Sequence, residues 1–120
     1  MNKSEWIKRI KADTDKAGTY KPFFDAVIDT LAGILEERDK AQETFEKLGG
    51  QVIVKHTNKG GATNLEQNPA LRLVNDLNRD ALAYWRDLGL TPKGLKAINE
   101  QALTEEKADV LTEALKELGG

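Results

Sequence analysis

Apolar residues recur at helical spacing in four stretches of this chain, and between two of them the spacing changes to that of a strand. The widest helical pattern runs from Pro22 to about Leu48. There Phe24, Ile28, Leu31, Leu35 and Phe45 trace one stripe, and Phe23, Val27, Ile34, Ala41 and Leu48 trace a second beside it. Such spacing belongs to the faces of a single helix, here unusually long and apolar on two adjoining sides. Ahead of it, Trp6, Ile7 and Ile10 form a small patch on a first helix that Ser4 can cap and Ala17-Gly18-Thr19 ends. Behind it, Asn68-Pro69 reads as an N-cap followed by proline at the first helical position, where a missing N–H is no loss. Leu77, Ala81, Tyr84, Trp85 and Leu88 give that third helix its apolar face; Gly89 stops it, and Thr91-Pro92 opens the next helix by the same device. A last helix is predicted from a Thr104 cap, with Glu105 and Glu106 suited to its positive end and Leu111, Leu115 and Leu118 on one face.

Between Gly49-Gly50 and Asn68 the residues favour strands. Val52, Ile53 and Val54 are β-branched, and Asn58-Lys59-Gly60-Gly61 is turn chemistry, so a β-hairpin is predicted over 51–66. A register centred on the turn sets Val54 opposite Leu65 and His56 opposite Thr63. The fold class is therefore mainly α: a long antiparallel helical hairpin with a small β-hairpin inserted between its two long helices, plus short N- and C-terminal helices. We divide the single domain 1–120 into a basic N-terminal helix or arm (1–21), a helical-hairpin oligomerisation core (22–89) and C-terminal helices (90–120).

A helix with two apolar stripes wants two partners. The third helix can cover one stripe; the other is filled either by a neighbouring subunit or by more of the same chain. Phe24, Ile28, Leu31, Ile34, Leu35 and Ala41 are on that ground candidate interface residues, and Arg72, Arg79 and Arg86 of the third helix are counted with them. Charges add a register: Asp29, Glu36 and Glu43 recur every seven residues on one long helix, and Arg72, Arg79 and Arg86 on the other. An antiparallel pairing would match Asp29 with Arg86, Glu36 with Arg79 and Glu43 with Arg72, as flanking charges do in a coiled-coil seam. The alternatives are local pairing with Asp76, Asp80 and Asp87, or an arginine row facing a DNA backbone.

Composition narrows the chemistry. Charged residues make up 32 % and aromatics 6 % of 120 residues, and there is no cysteine, so disulfides and thiolate chemistry are excluded. The N-terminus lacks the apolar run of a signal peptide, and no stretch is long and apolar enough for a membrane helix, so a cytoplasmic protein without a membrane partner is expected. Gly60-Gly61 lacks the GK[ST] of a phosphate-binding loop, and a lone His56 makes no metal site. No enzyme activity, cofactor or metal is expected. The net charge of −2 hides a polarity: residues 1–22 hold six Lys/Arg against three Asp/Glu, whereas residues 104–120 hold two against five. Binding to nucleic acid follows clustered charge and not the total, so Lys8, Arg9, Lys11 and Lys16 are the leading candidates. Lys55 and Lys59 on the hairpin, and Lys93 and Lys96 at the last corner, are the others.

The order QVIVKHTNKGGATNLEQ, NPAL, then a helix closing in LGLTP resembles the small subunit of the P27 family of phage terminases, over roughly residues 23–103. Lys93, Gly94 and Lys96 stand where that family often has arginines. The resemblance implies a homo-oligomeric ring that binds double-stranded phage DNA as packaging begins and delivers it to the large terminase subunit, the ATPase and nuclease, in the host cytoplasm. The residues alone reach a helical, oligomeric, non-catalytic protein, for which a protein-interaction or scaffold module without nucleic acid is the rival reading.

Overall fold

A computed structural model describes residues 1–119. Four helices and one hairpin follow in the order α1 (Lys3–Ala17), α2 (Asp25–Lys47), β1 (Ile53–Thr57), β2 (Thr63–Gln67), α3 (Pro69–Asp87) and α4 (Pro92–Gly119). A single 3-10 turn, Pro22–Phe24, leads into α2. The mainly helical class with a two-stranded antiparallel insertion between the long helices is the one expected.

Most boundaries sit where the punctuation puts them. Asn68 caps α3 by accepting from the Ala70 N–H at 3.0 Å, and its own amide donates to the Gln51 carbonyl at 2.8 Å, which ties the hairpin's base to the helix. Gly89 ends α3 at φ 73°, a left-handed conformation that only glycine takes without strain. Two boundaries differ. The cap of α1 is Asn2, whose side chain accepts from the Glu5 N–H at 2.8 Å, and Ser4 lies inside the first turn. Thr104 caps nothing: its hydroxyl donates to the Glu100 carbonyl at 2.9 Å within an unbroken α4 of 28 residues. A cap needs the chain to leave the helix, and no glycine or proline between Leu95 and Leu118 makes it do so.

The hairpin register is also one residue from the expected one. Val54 pairs with Glu66, Lys55 with Leu65 and His56 with Asn64. The loop holds three residues, not two: Gly61 N–H donates to the Asn58 carbonyl at 3.0 Å, Gly61 then turns left-handed at φ 84°, and Asn58 closes on Ala62 at 2.9 Å. Odd loop length moves the centre of pairing onto Gly60. The strands keep little contact with the rest, and Ile53 and Leu65 stay 59 % and 71 % exposed.

The core lies where α2 is held between two helices of its own chain. Ile10 from α1, Ile28, Leu31, Ala32 and Leu35 from α2, Ala81 from α3 and Leu88 beyond it form one buried cluster, with Trp6, Ile7, Tyr84 and Trp85 packed against it. The second partner that the double stripe demands is thus α1. Of the residues of the two stripes only Phe23 and Leu48 stay open.

Candidate nucleic-acid and assembly surfaces

α1 is fastened to α2 through polar contacts made chiefly by two carboxylates. Asp39 accepts from the Trp6 indole N–H at 2.8 Å, from Arg38 at 3.0 Å and from the Met1 ammonium at 3.1 Å, and the Arg38 guanidinium lies 5.5 Å from the centre of the Trp6 ring. Burial pushes the Asp39 carboxyl up, but the hydrogen bonds from Trp6, the ammonium and Arg38 together outweigh it and hold it below its ordinary value. Glu36 accepts from the Lys3 backbone N–H at 2.6 Å, a free donor of the first helical turn, and that bond is the main reason its carboxyl is held low. At the other end Lys11 lies 3.7 Å from Asp25, and Tyr20 donates to Asp25 at 2.8 Å. The basic N-terminal segment is therefore no loose arm but a docked helix antiparallel to α2.

Docking sorts its cations. Lys8, Arg9 and Lys16 are exposed on the side away from α2, Arg9 in a local pair with Asp13 at 3.2 Å, whereas Lys11 is half-buried against Asp25. Lys93 and Lys96 open α4, Lys96 beside Glu100 at 3.9 Å. Because Thr19 donates to the Leu88 carbonyl at 2.8 Å, the end of α1 and the start of α4 meet at one end of the helical hairpin. Lys55 and Lys59 sit on the β-hairpin at its other end, exposed and apart. The structure thus sets the C-terminal end of α1, where Lys16 stands, near the corner that carries Lys93 and Lys96, and leaves the hairpin pair at the far end. Lys21, exposed at the corner end, belongs with Lys16, Lys93 and Lys96 and was passed over because it stands in a loop, outside any helical run.

The candidate interface residues divide as well. Ile28, Leu31, Leu35 and Ala41 are buried within the chain and have no surface to offer a second copy, while Phe24 and Ile34 are half-buried against the same core. The intrachain charge seam is not formed. Asp29 pairs with Lys3 at 3.1 Å, Glu43 with Lys47 at 2.8 Å and Arg79 with Asp76 at 3.5 Å, and Arg72 donates to Gln67 at 3.5 Å. Val74, Leu77 and Ala81 define the buried side of α3, and at 100° per residue Arg72, Arg79 and Arg86 fall on the opposite side, facing water. A seam needs its charges beside the apolar stripe, so the same spacing could have ruled it out.

Among the described residues no group of His, Cys, Asp or Glu could hold a metal, and no helix is long and apolar enough to cross a membrane. An open groove of about 410 Å³ lies between α1 and α3, lined by Asp13, Leu82, Trp85, Leu90 and Thr91. Its lining offers apolar contact and one carboxylate already held by Arg9. The chain belongs to the phage terminase small subunit family: the family model described as "Phage terminase, small subunit" matches residues 3–105. Membership implies a role in phage DNA packaging, and the family is generally non-catalytic. No curated protein and no solved structure matches the chain.

Proposed function

We propose that this chain is a small terminase subunit of the P27 type, which assembles as a ring, binds duplex phage DNA in the host cytoplasm as packaging begins, and passes it to the large ATPase-nuclease subunit. The observation that carries the DNA reading is the exposed row of Lys8, Arg9 and Lys16 on a helix fixed to the core, with Lys21, Lys93 and Lys96 near its C-terminal end. A fixed helix presents its cations in one geometry, so less side-chain and backbone freedom is lost when phosphate is met. One such row is weak, but a ring repeats it on every copy and multiplies the effective affinity.

Salt dependence tests the assignment. Each cation that neutralises a phosphate adds about −0.9 to the slope of log affinity against log salt. Neutralising Lys8 and Lys16 together is expected to weaken duplex binding and flatten that slope, with the state of assembly unchanged in sedimentation. An unchanged slope would remove α1 from the contact and leave the corner or hairpin lysines to carry it.

A further inference from the structure

Every residue of α4 from Asn99 to Gly119 is exposed, although the segment is amphipathic. Leu103, Val110, Leu111, Leu115 and Leu118 leave between 51 % and 85 % of their surface open, and their spacing puts them on one side of the helix. Glu106, Glu113 and Glu117 border that side along one edge. A solvated helix of this length, about 25 Å from Leu103 onward, is marginal by itself. It is shaped to be covered.

A surface of complementary character lies on the same molecule. The α1–α3 groove has an apolar floor of Leu82, Trp85 and Leu90, and Leu82 is half open to solvent. Arg79 and Arg86, three residues before and four after Leu82, flank it on the solvent side of α3, Arg79 paired with Asp76 at 3.5 Å, and Arg9 stands beside Asp13 on α1. An apolar floor bordered by arginines matches in sign an apolar stripe bordered along one edge by glutamates, Lys107 being the one cation within that stripe. The chain cannot fill its own groove: α4 departs from Thr91 at the groove's edge as one unbroken helix, so its outer half begins about 16 Å away and runs farther off.

We infer that the outer half of α4 from one copy docks in the α1–α3 groove of the next. The contact joins two different patches, so each copy gives one and receives one, and a head-to-tail series of this kind closes into a ring when its rotation allows. The inference rests on the ring proposed above and identifies which surfaces build it.

Variants on the two surfaces test it, using the full chain and native mass spectrometry. Leu111→Asp with Leu115→Asp alters only exposed positions, and Leu82→Asp alters the half-open groove floor, so circular dichroism should show unchanged helicity. A charge placed in a desolvated contact should raise the concentration needed for assembly by roughly tenfold or more for each variant, and Arg79→Glu with Arg86→Glu should act in the same direction. The decisive sample is the mixture of the α4 variant with the Leu82 variant. One intact groove and one intact α4 remain between them, so a one-to-one heterodimer that grows no further is expected. A wild-type assembly that the α4 variant leaves intact would overturn the docking while the ring stands, and would assign α4 to another protein. Loss of assembly in both variants without a heterodimer on mixing would also overturn it. A wild type that stays monomeric at every concentration would refute the ring and the docking together.

Discussion

Replacing Asp39 with alanine should loosen α1 from the body, and the loss can be worked from its partners. Three donors are left without their acceptor: the Trp6 indole at 2.8 Å, Arg38 at 3.0 Å and the Met1 ammonium at 3.1 Å. A hydrogen bond to a charged group contributes about 1.5–3 kcal/mol when well buried. The Asp39 side chain is 27 % exposed and the Met1 side chain 36 %, so the ammonium contact is largely screened and the indole and guanidinium bonds are partly so. A net destabilisation of about 1–2 kcal/mol is expected, a sizeable fraction of the roughly 5–15 kcal/mol that holds a domain together. Urea unfolding followed by circular dichroism and tryptophan fluorescence measures it, with an unchanged slope m as the sign that both states keep their compactness. Trp6→Phe removes the donor and keeps the ring over which Arg38 lies. In a double-mutant cycle the two substitutions should couple by about 0.5–1.5 kcal/mol. If their effects simply add, Asp39 and Trp6 do not fasten α1, and the fixed presentation of Lys8, Arg9 and Lys16 loses its basis.

Four further outcomes follow from the same geometry. The Asp39 carboxyl is held below its ordinary value of 3.8, so its contribution is fully present above that pH and is lost as pH falls through the lower folded value; the stability gap between wild type and Asp39→Asn should narrow below about pH 4 in acid titrations. Gly94→Ala would drive a methyl group into the Arg86 carbonyl at the start of α4, which should lower the midpoint of thermal unfolding by several degrees and displace α4 in small-angle scattering. Asn68→Ala removes both the α3 cap and the bond to the Gln51 carbonyl, and should cost about 1–2 kcal/mol in urea unfolding. Glu43→Arg, which would break the interhelical seam read from the charge spacing, should change stability by no more than about 0.5 kcal/mol, since Glu43 is paired only with exposed Lys47.

What the chain announces locally, it announces well. Asn68-Pro69, Gly89 and Thr91-Pro92 act through bonds within a few residues, so their roles are readable from composition alone, and the helical hairpin with its β insertion follows from them. The misplacements come from contacts between distant residues or from a single missing count. Asp39 looks like any helix-surface acid until α1 brings Trp6 against it from 33 residues away. The two apolar stripes of α2 state that two partners exist without saying whose, and α1 is short enough that a neighbouring subunit was an equal candidate. The hairpin register turned on whether its loop holds two residues or three, a choice fixed by the left-handed Gly61. For the candidate surfaces, exposure separates Lys8, Arg9 and Lys16 from Lys11, and buries four residues assigned to an interface. The α1–α3 groove has no sequence signature, because its walls come from three elements that meet only in the fold.

The corner between α3 and α4 acts as the pivot of a lever. Gly89 admits Thr19 and Ile98 where a methyl group would strike both, Gly94 lets the α4 backbone rest on the Arg86 carbonyl, and Thr91 holds the Gly94 N–H at 3.0 Å. Direction is thereby set within six residues, while α4 extends about 42 Å beyond. A change of ten degrees at the pivot would carry the far end sideways by about 7 Å, more than the width of a leucine side chain. Two glycines thus govern the aim of the whole terminal helix, and drift in either one would be read out, magnified, at a point that neither touches.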